Sequence, residues 1–266
     1  MEEKGIYYGY DEKTYRADPR LNKSYLNNFC KGQAPRQALF AKETTSLSEG
    51  RKVHSFIEDG LNQFAVSPHS DFRKKEAKEW KAEQEANGLT VIKEEELEKL
   101  TQIRTEVAYC CEAEDIDITL GHHEVTVFSE KEKVRLDYLH GDHIIDWKTG
   151  KSAEPGAIDR AMDFFNYDLQ AFMYSKVYKE VTGNVPKFSF VFVELEAPYS
   201  TTFVEMSDEG LALGEAKYFY AKERLEYLRK NNRLGSSYVE GSHIYKPAPW
   251  SLSKYNVVTE QECAFK

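Results

Sequence analysis

The sequence predicts an α/β fold, with a central mixed β-sheet flanked by helices and a helical part on its N-terminal side. Three observations carry this. The element order reads as helices, then a strand meander, then helix, strand, strand and helix. The stretch Lys133 to Gly150 alternates with period two in β-rich residues around His140-Gly141-Asp142, which is a hairpin signal. The run KFSFVFVE, Lys187 to Glu194, is dense in Phe and Val, as a central strand buried on both faces should be.

Taken in order, residues 1–20 are rich in Tyr and charge without a clear period and read as an extended arm. Asn22 to Cys30 makes a short helix with Tyr25, Leu26 and Phe29 on one side, and Pro35 is placed to start another. Ser46-Leu47-Ser48-Glu49 is a capping box ahead of a helix over about 48–65, whose buried face is Val53, Phe56, Ile57, Gly60, Leu61 and Phe64. His54 lies about 100° round the wheel from Val53, at the edge of that face. Ser70 to Asn87 is a highly charged helix stopped by Asn87-Gly88. Its usual meaning is a solvated face, although its lysines also suit a phosphate backbone. Val91 to Cys111 is a further helix, with Leu97, Leu100, Ile103 and Val107 in period.

Glu124 to Phe128 is a strand that pairs with Lys133 to Leu139. Lys151 to Asp163 reads as a loop broken by Glu154-Pro155-Gly156. Phe164 to Glu180 is a helix on which Tyr167, Gln170 and Tyr174 form one stripe. Thr201 to Met206 is a strand. Ser207-Asp208-Glu209 then caps a long helix to Asn232 that ends in the most basic segment, and the tail from Gly235 is irregular. No Gly/Ser or Pro-rich linker divides the chain, so residues 1–266 are expected to be one domain: an arm and first helices over 1–45, a core over 46–232, and a tail over 233–266.

Composition bounds the function. The 266 residues suffice for a substantial core. No apolar run approaches the roughly 20 residues of a membrane span, and the opening MEEKGIYYGYDEK is no signal peptide, so a soluble, cytoplasmic protein without a membrane partner is expected. The net charge of −9 argues against a high-affinity, sequence-specific DNA reader, yet says nothing of local charge. The four cysteines, Cys30, Cys110, Cys111 and Cys263, form no C-x-x-C pair.

The chemistry concentrates in the hairpin. A turn centred on His140 and Gly141 sets Tyr138 opposite His143 and Asp137 opposite Ile144. Asp137, Asp146 and Lys148 then share one face, with the two acids diagonal neighbours about 7 Å apart. Two carboxylates at that reach can hold a hard divalent cation, and a lysine two residues on stands beside it.

Asp137, then Asp146-Trp147-Lys148-Thr149, then Tyr167-Asp168-Leu169-Gln170, preceded by His54 on an upstream helix, resembles the PD-(D/E)xK nuclease superfamily in its RecB-like form. Within that form the pattern is most similar to RecE (exonuclease VIII)-like phage exonucleases, over about Ser24 to Glu196. The resemblance implies a restriction-endonuclease-like core. It implies one or two Mg²⁺ or Mn²⁺ ions held by His54, Asp137, Asp146 and the Trp147 carbonyl, with Lys148 orienting or helping to activate water and Gln170 in the catalytic set. Tyr167, Gln170 and Tyr174 are the expected DNA contacts. Gln170 is read as bonding the backbone near the site or the DNA. Glu124 is either a site carboxylate or an edge-strand surface residue. Because only Cys263 is late, the iron–sulfur cluster of some RecB-like nucleases is not expected. Family analogy further implies 5′-to-3′ degradation of linear double-stranded DNA, leaving 3′ single strands for an annealing protein, by a homo-oligomeric ring. The alternatives are a RecB-like repair or CRISPR-associated nuclease and a non-catalytic DNA-binding member of the fold.

Overall fold

The computed structural model describes residues 2–30, 45–232 and 234. Six strands make one sheet in the order β1-β4-β5-β6-β7-β8. They are β1 (Gly5–Tyr7), β4 (His122–Phe128), β5 (Lys133–His140), β6 (His143–Gly150), β7 (Lys187–Glu194) and β8 (Thr201–Glu205). β4, β5 and β6 form an antiparallel meander, β6 and β7 run parallel, and β8 returns antiparallel, so the sheet is mixed as expected. The parallel step is bridged by α6 (Pro155–Phe165) and α7 (Tyr167–Thr182). A separate parallel pair joins β2 (Phe64–Val66) to β3 (Thr90–Ile92).

Alternation along the strands divides the core in two. Phe188, Phe190 and Phe192 of β7 and Ile144 of β6 face α7, α2 (Lys23–Cys30) and α8 (Asp208–Lys230). Val191 and Val193 of β7, with Ile145 and Trp147 of β6, face α3 (Thr45–Asp59) and α5 (Glu94–Glu112). α4 (Lys75–Ala86) is almost wholly exposed, as its charge pattern predicts, and buries only Ala77.

Several expectations need correction. The stretch read as a loop contains α6. Pro155 stands in its first turn, where a missing N–H costs nothing, so the proline starts the helix rather than breaking it. One helix over Phe164 to Glu180 is instead two, divided at Asn166, which takes a left-handed φ of 52°. The helix read from Val91 begins at Glu94, because Thr90–Ile92 pair with β2. α3 begins at Thr45, so the expected capping box lies inside its first turn. The N-terminal arm is ordered: β1 extends the sheet beside β4, and α1 (Glu12–Ala17) follows it. The buried ammonium of Lys133 takes the carbonyls of Asp18 at 2.7 Å and Tyr15 at 2.5 Å, which fixes the end of α1 to β5. The helix expected from Pro35, Arg233 and the tail from Gly235 lie outside the described residues.

The elements that carry the site are held by polar ties across the core. Buried Glu132, at the β4–β5 turn, accepts from Lys176 of α7 at 2.8 Å and from the Tyr218 hydroxyl of α8. Lys217 of α8 pairs with Asp168 of α7 at 2.6 Å. At Gly214 the two helices touch backbone to side: a Cβ there would lie 2.1 Å from the Asp168 carbonyl oxygen. Gly214→Ala should therefore force α7 and α8 apart and lower stability by roughly 1–3 kcal/mol. Gly210→Ala, whose Cβ would crowd the flexible end of Met206 at 2.8 Å and touch the Ser207 hydroxyl at an ordinary 3.6 Å, should cost less. Thermal melts of the two variants check this, and equal melting temperatures would contradict it.

Candidate metal centre and nuclease site

The site forms where β5 and β6 part. Their ladder holds three residue pairs, His140–His143, Leu139–Ile144 and Tyr138–Ile145. The turn is therefore Gly141-Asp142, with Gly141 at φ 57°, as the first position of a tight hairpin turn allows. This corrects the expected register: Tyr138 lies opposite Ile145, not His143, and Leu139, not Asp137, lies opposite Ile144. Beyond Tyr138–Ile145 the Asp137 carboxylate itself accepts the Trp147 N–H, at 3.0 Å.

β5 changes sides at this point. Leu136 lies in the α7 core, yet Tyr138, two residues on, lies in the α3 core. Across from Asp137, between the pairs Val125–Leu136 and His123–Tyr138, stands Glu124 at φ 52°. Both strands are thus distorted at one level, as at a bulge beside a functional site. The expectation of one shared face is corrected accordingly. Asp146 and Lys148 lie on the α7 face, while Asp137 sits in the gap between the strands and reaches His54 of α3, Nδ1 to Oδ2 3.3 Å.

Asp146 is buried and fully engaged. Its two oxygens accept from Lys148 Nζ and Gln170 Nε2. Gln170 therefore bonds the acid itself rather than a backbone group. The Lys148 ammonium lies 4.6 Å from the centre of the Tyr167 ring, a cation–π contact. Tyr174, third in the stripe, packs edge-on to Phe188 with ring centres 6.2 Å apart and is half-buried. Trp147 is buried, and because its N–H points toward β5, its carbonyl points to the same edge. Glu124 pairs with Arg135, which also donates to the Tyr10 carbonyl at 2.9 Å.

One residue was missed in the sequence. Glu58 stands one turn after His54 on α3, and ligand atoms of His54, Glu58 and Asp137 all lie within 4.8 Å of one another. The i, i+4 spacing of His54 and Glu58 was the available signal. Glu58 Oε1 is buried and has no hydrogen-bond partner among the described residues.

The electrostatics are those of a cation site. Burial, then the charges of Asp137 and Glu124, push the Glu58 carboxyl far above the usual range. Burial and the neighbouring Asp137 charge likewise raise Asp146, against the pull of Lys148. Asp137 goes the other way: burial would raise it, but His54, Lys148 and the Trp147 N–H bring it below the ordinary value. His54 is raised despite its burial, because Asp137 faces it. Lys148 is raised despite burial by Asp146, and so stays an ammonium. An imidazole nitrogen and two carboxylates, one of them with an orphaned buried oxygen, fit a hard divalent cation well.

Glu58 gives a pH-dependent prediction. Its folded-state pKa is raised above the unfolded value, so the metal-free folded chain binds this proton more tightly, and stability falls as pH rises above about 4.3, the unfolded glutamate value. In EDTA, Glu58→Gln should melt above wild type at pH 8, with the gap closing toward pH 5. Thermal melts across that range check the sign, and a variant less stable at pH 8 would contradict it.

No curated protein matches the chain. Among solved structures it is similar to a candidate exonuclease of Eubacterium rectale, with TM-score 0.49 and 16% identity over 84% of each chain. It is also similar to a phage-related exonuclease of Haemophilus somnus 129PT, with TM-score 0.33 and 13% identity over 80% of this chain and 97% of that one. No helix among the described residues is long and apolar enough to cross a membrane. Residues 23–237 match a family of nuclease-like fold that spans both halves of the hairpin site, and the chain belongs to it: the PDDEXK-like domain of unknown function (DUF3799).

Proposed function

We propose that this protein is a divalent-metal-dependent deoxyribonuclease, acting as an exonuclease from the 5′ end of linear double-stranded DNA and leaving 3′ single-stranded tails. The observation that carries the reading is the convergence of His54, Glu58 and Asp137 on one point beside the Asp146–Lys148 pair. Those three would hold Mg²⁺ or Mn²⁺, with Asp146 and the Trp147 carbonyl at the same gap. A cation there supplies a water of lowered pKa and polarises a phosphoryl oxygen.

The chain's own groups do the rest. Lys148, kept protonated, donates to the attacking water or to the oxygen that gains charge at phosphorus. Gln170 holds the far oxygen of Asp146 and so sets that carboxylate's rotation. Tyr167 covers the Lys148 ammonium and limits its swing. The imidazole of His54 is steadied by Asp137 from the opposite side of the gap. The direction of attack, the annealing partner and the ring assembly rest on the RecE-like motif pattern, with cytoplasmic action in the same scheme.

A time course on linear duplex DNA with Mg²⁺ tests this. Three substrates are compared: labelled at 5′ ends, labelled at 3′ ends, and covalently closed. Wild type should release the 5′ label first, spare the circle and fall silent in EDTA, and Asp146→Ala should lose at least about a hundredfold in rate. Cutting of the circle would replace the exonuclease by an endonuclease. No hydrolysis of any DNA with Mg²⁺ or Mn²⁺ would overturn the reading.

A further inference from the structure

The outer face of α8 carries an apolar stripe. α8 packs on α7 and α2, and its buried residues are Gly214, Tyr218, Ala221, Leu225 and Leu228. Leu213, Tyr220 and Tyr227 lie on the opposite side and are 50%, 55% and 50% exposed. They recur every seven residues. Seven residues fall about 20° short of two helical turns, so the three side chains form one line about 21 Å long. Ala216, also exposed, lies between the first two. Neither tyrosine makes a side-chain hydrogen bond or a ring contact among the described residues. A line of large apolar groups on a helix with a separate buried face is the mark of an interaction surface.

The charges of α8 say what fits that surface. Before Tyr220, the three acids Asp208, Glu209 and Glu215 stand against Lys217 alone, a net −2. After Tyr220, the four bases Lys222, Arg224, Arg229 and Lys230 stand against Glu223 and Glu226, a net +2. Tyr220 is also midway between Leu213 and Tyr227. Consider a second copy of α8 laid antiparallel on the first, with a two-fold axis at Tyr220. Tyr220 then meets Tyr220, and Leu213 of each copy lies at the level of Tyr227 of the other. The acidic end of each helix lies on the basic end of its neighbour. Parallel alignment would set like ends together. A surface that is complementary to itself in this way is what a two-fold contact requires.

We propose that α8 is a self-association surface, through which two copies of this chain pair antiparallel about a two-fold axis at Tyr220. The even spacing and the charge reversal favour a second copy over an unrelated partner. A two-fold contact closes on two copies. One helix pair is small beside interfaces of about 800 Å² per partner, so the pairing is expected in the micromolar range. The contact does not depend on the nuclease reading, and a ring would need a second surface besides it.

Sedimentation equilibrium of the full chain, from about 1 to about 200 μM, tests this. The mass should rise with concentration from 30.8 kDa toward twice that value. Tyr220→Glu places two like charges on the axis and should weaken pairing at least about tenfold, whereas Tyr220→Phe should keep it. The double variant Asp208→Lys/Glu209→Lys should also weaken pairing about tenfold, and adding Arg229→Glu/Lys230→Glu should restore it. A parallel pair would not respond to the first of these charge changes. Circular dichroism should show each variant folded, and if Tyr220→Glu does not fold, the charge variants decide. A mass of one chain at every concentration, or pairing that Tyr220→Glu or the Asp208/Glu209 change leaves intact, would overturn the proposal. A larger assembly that persists in Tyr220→Glu would likewise overturn the α8 contact and leave the ring of the proposed function standing.

Discussion

The hydrogen bond from the Trp147 N–H to the Asp137 carboxylate is the interaction on which the site depends. A side chain there occupies the position of a strand carbonyl, so β5 and β6 cannot continue their ladder past Tyr138–Ile145. The gap admits an imidazole from α3 and a carboxylate from the other face of the sheet. The distortion of β4 at Glu124 lies at the same level. Strands that paired regularly to their ends would close this opening.

The two halves of the core have separate duties at that gap. The α3 and α5 side brings His54 and Glu58 to it, on the helix whose Val53, Phe56 and Ile57 are buried. The α7 and α8 side brings Gln170 and Tyr167, on a helix anchored by Glu132, Lys217 and the close approach at Gly214. Buried acids of like charge weaken a metal-free fold, and Glu58 is the plainest case, since its Oε1 has no hydrogen-bond partner among the described residues. A cation supplies what the chain leaves out. The arrangement trades stability for the ability to bind charge, as functional sites do.

Much of this was legible in the residues. The alternation through Lys133 to Gly150 located β5 and β6, and the Phe/Val run located β7 at its observed ends. The hairpin pattern named Asp137, Asp146 and Lys148, and the resemblance to RecB-like nucleases added Gln170; these groups do meet in space. The register did not follow, because His140-Gly141 and Gly141-Asp142 are both plausible turns and only tertiary packing chooses. The change of face at Asp137 was hidden as well: Val134, Leu136 and Tyr138 alternate without interruption, and nothing local marks that the last belongs to a different core. Glu58 was not singled out, because only the fold brings its carboxylate, one turn after His54, to Asp137. α6 was lost to a proline taken as a stop when its position made it a start.

The central claim is that His54, Glu58 and Asp137 hold a divalent cation in the gap between β5 and β6. Crystals grown with Mn²⁺ and measured at the manganese absorption edge test it most directly. The account predicts an anomalous peak in contact with the His54 imidazole and with carboxylate oxygens of Glu58 and Asp137. A map with no peak there, from protein that binds Mn²⁺ elsewhere or not at all, would contradict it.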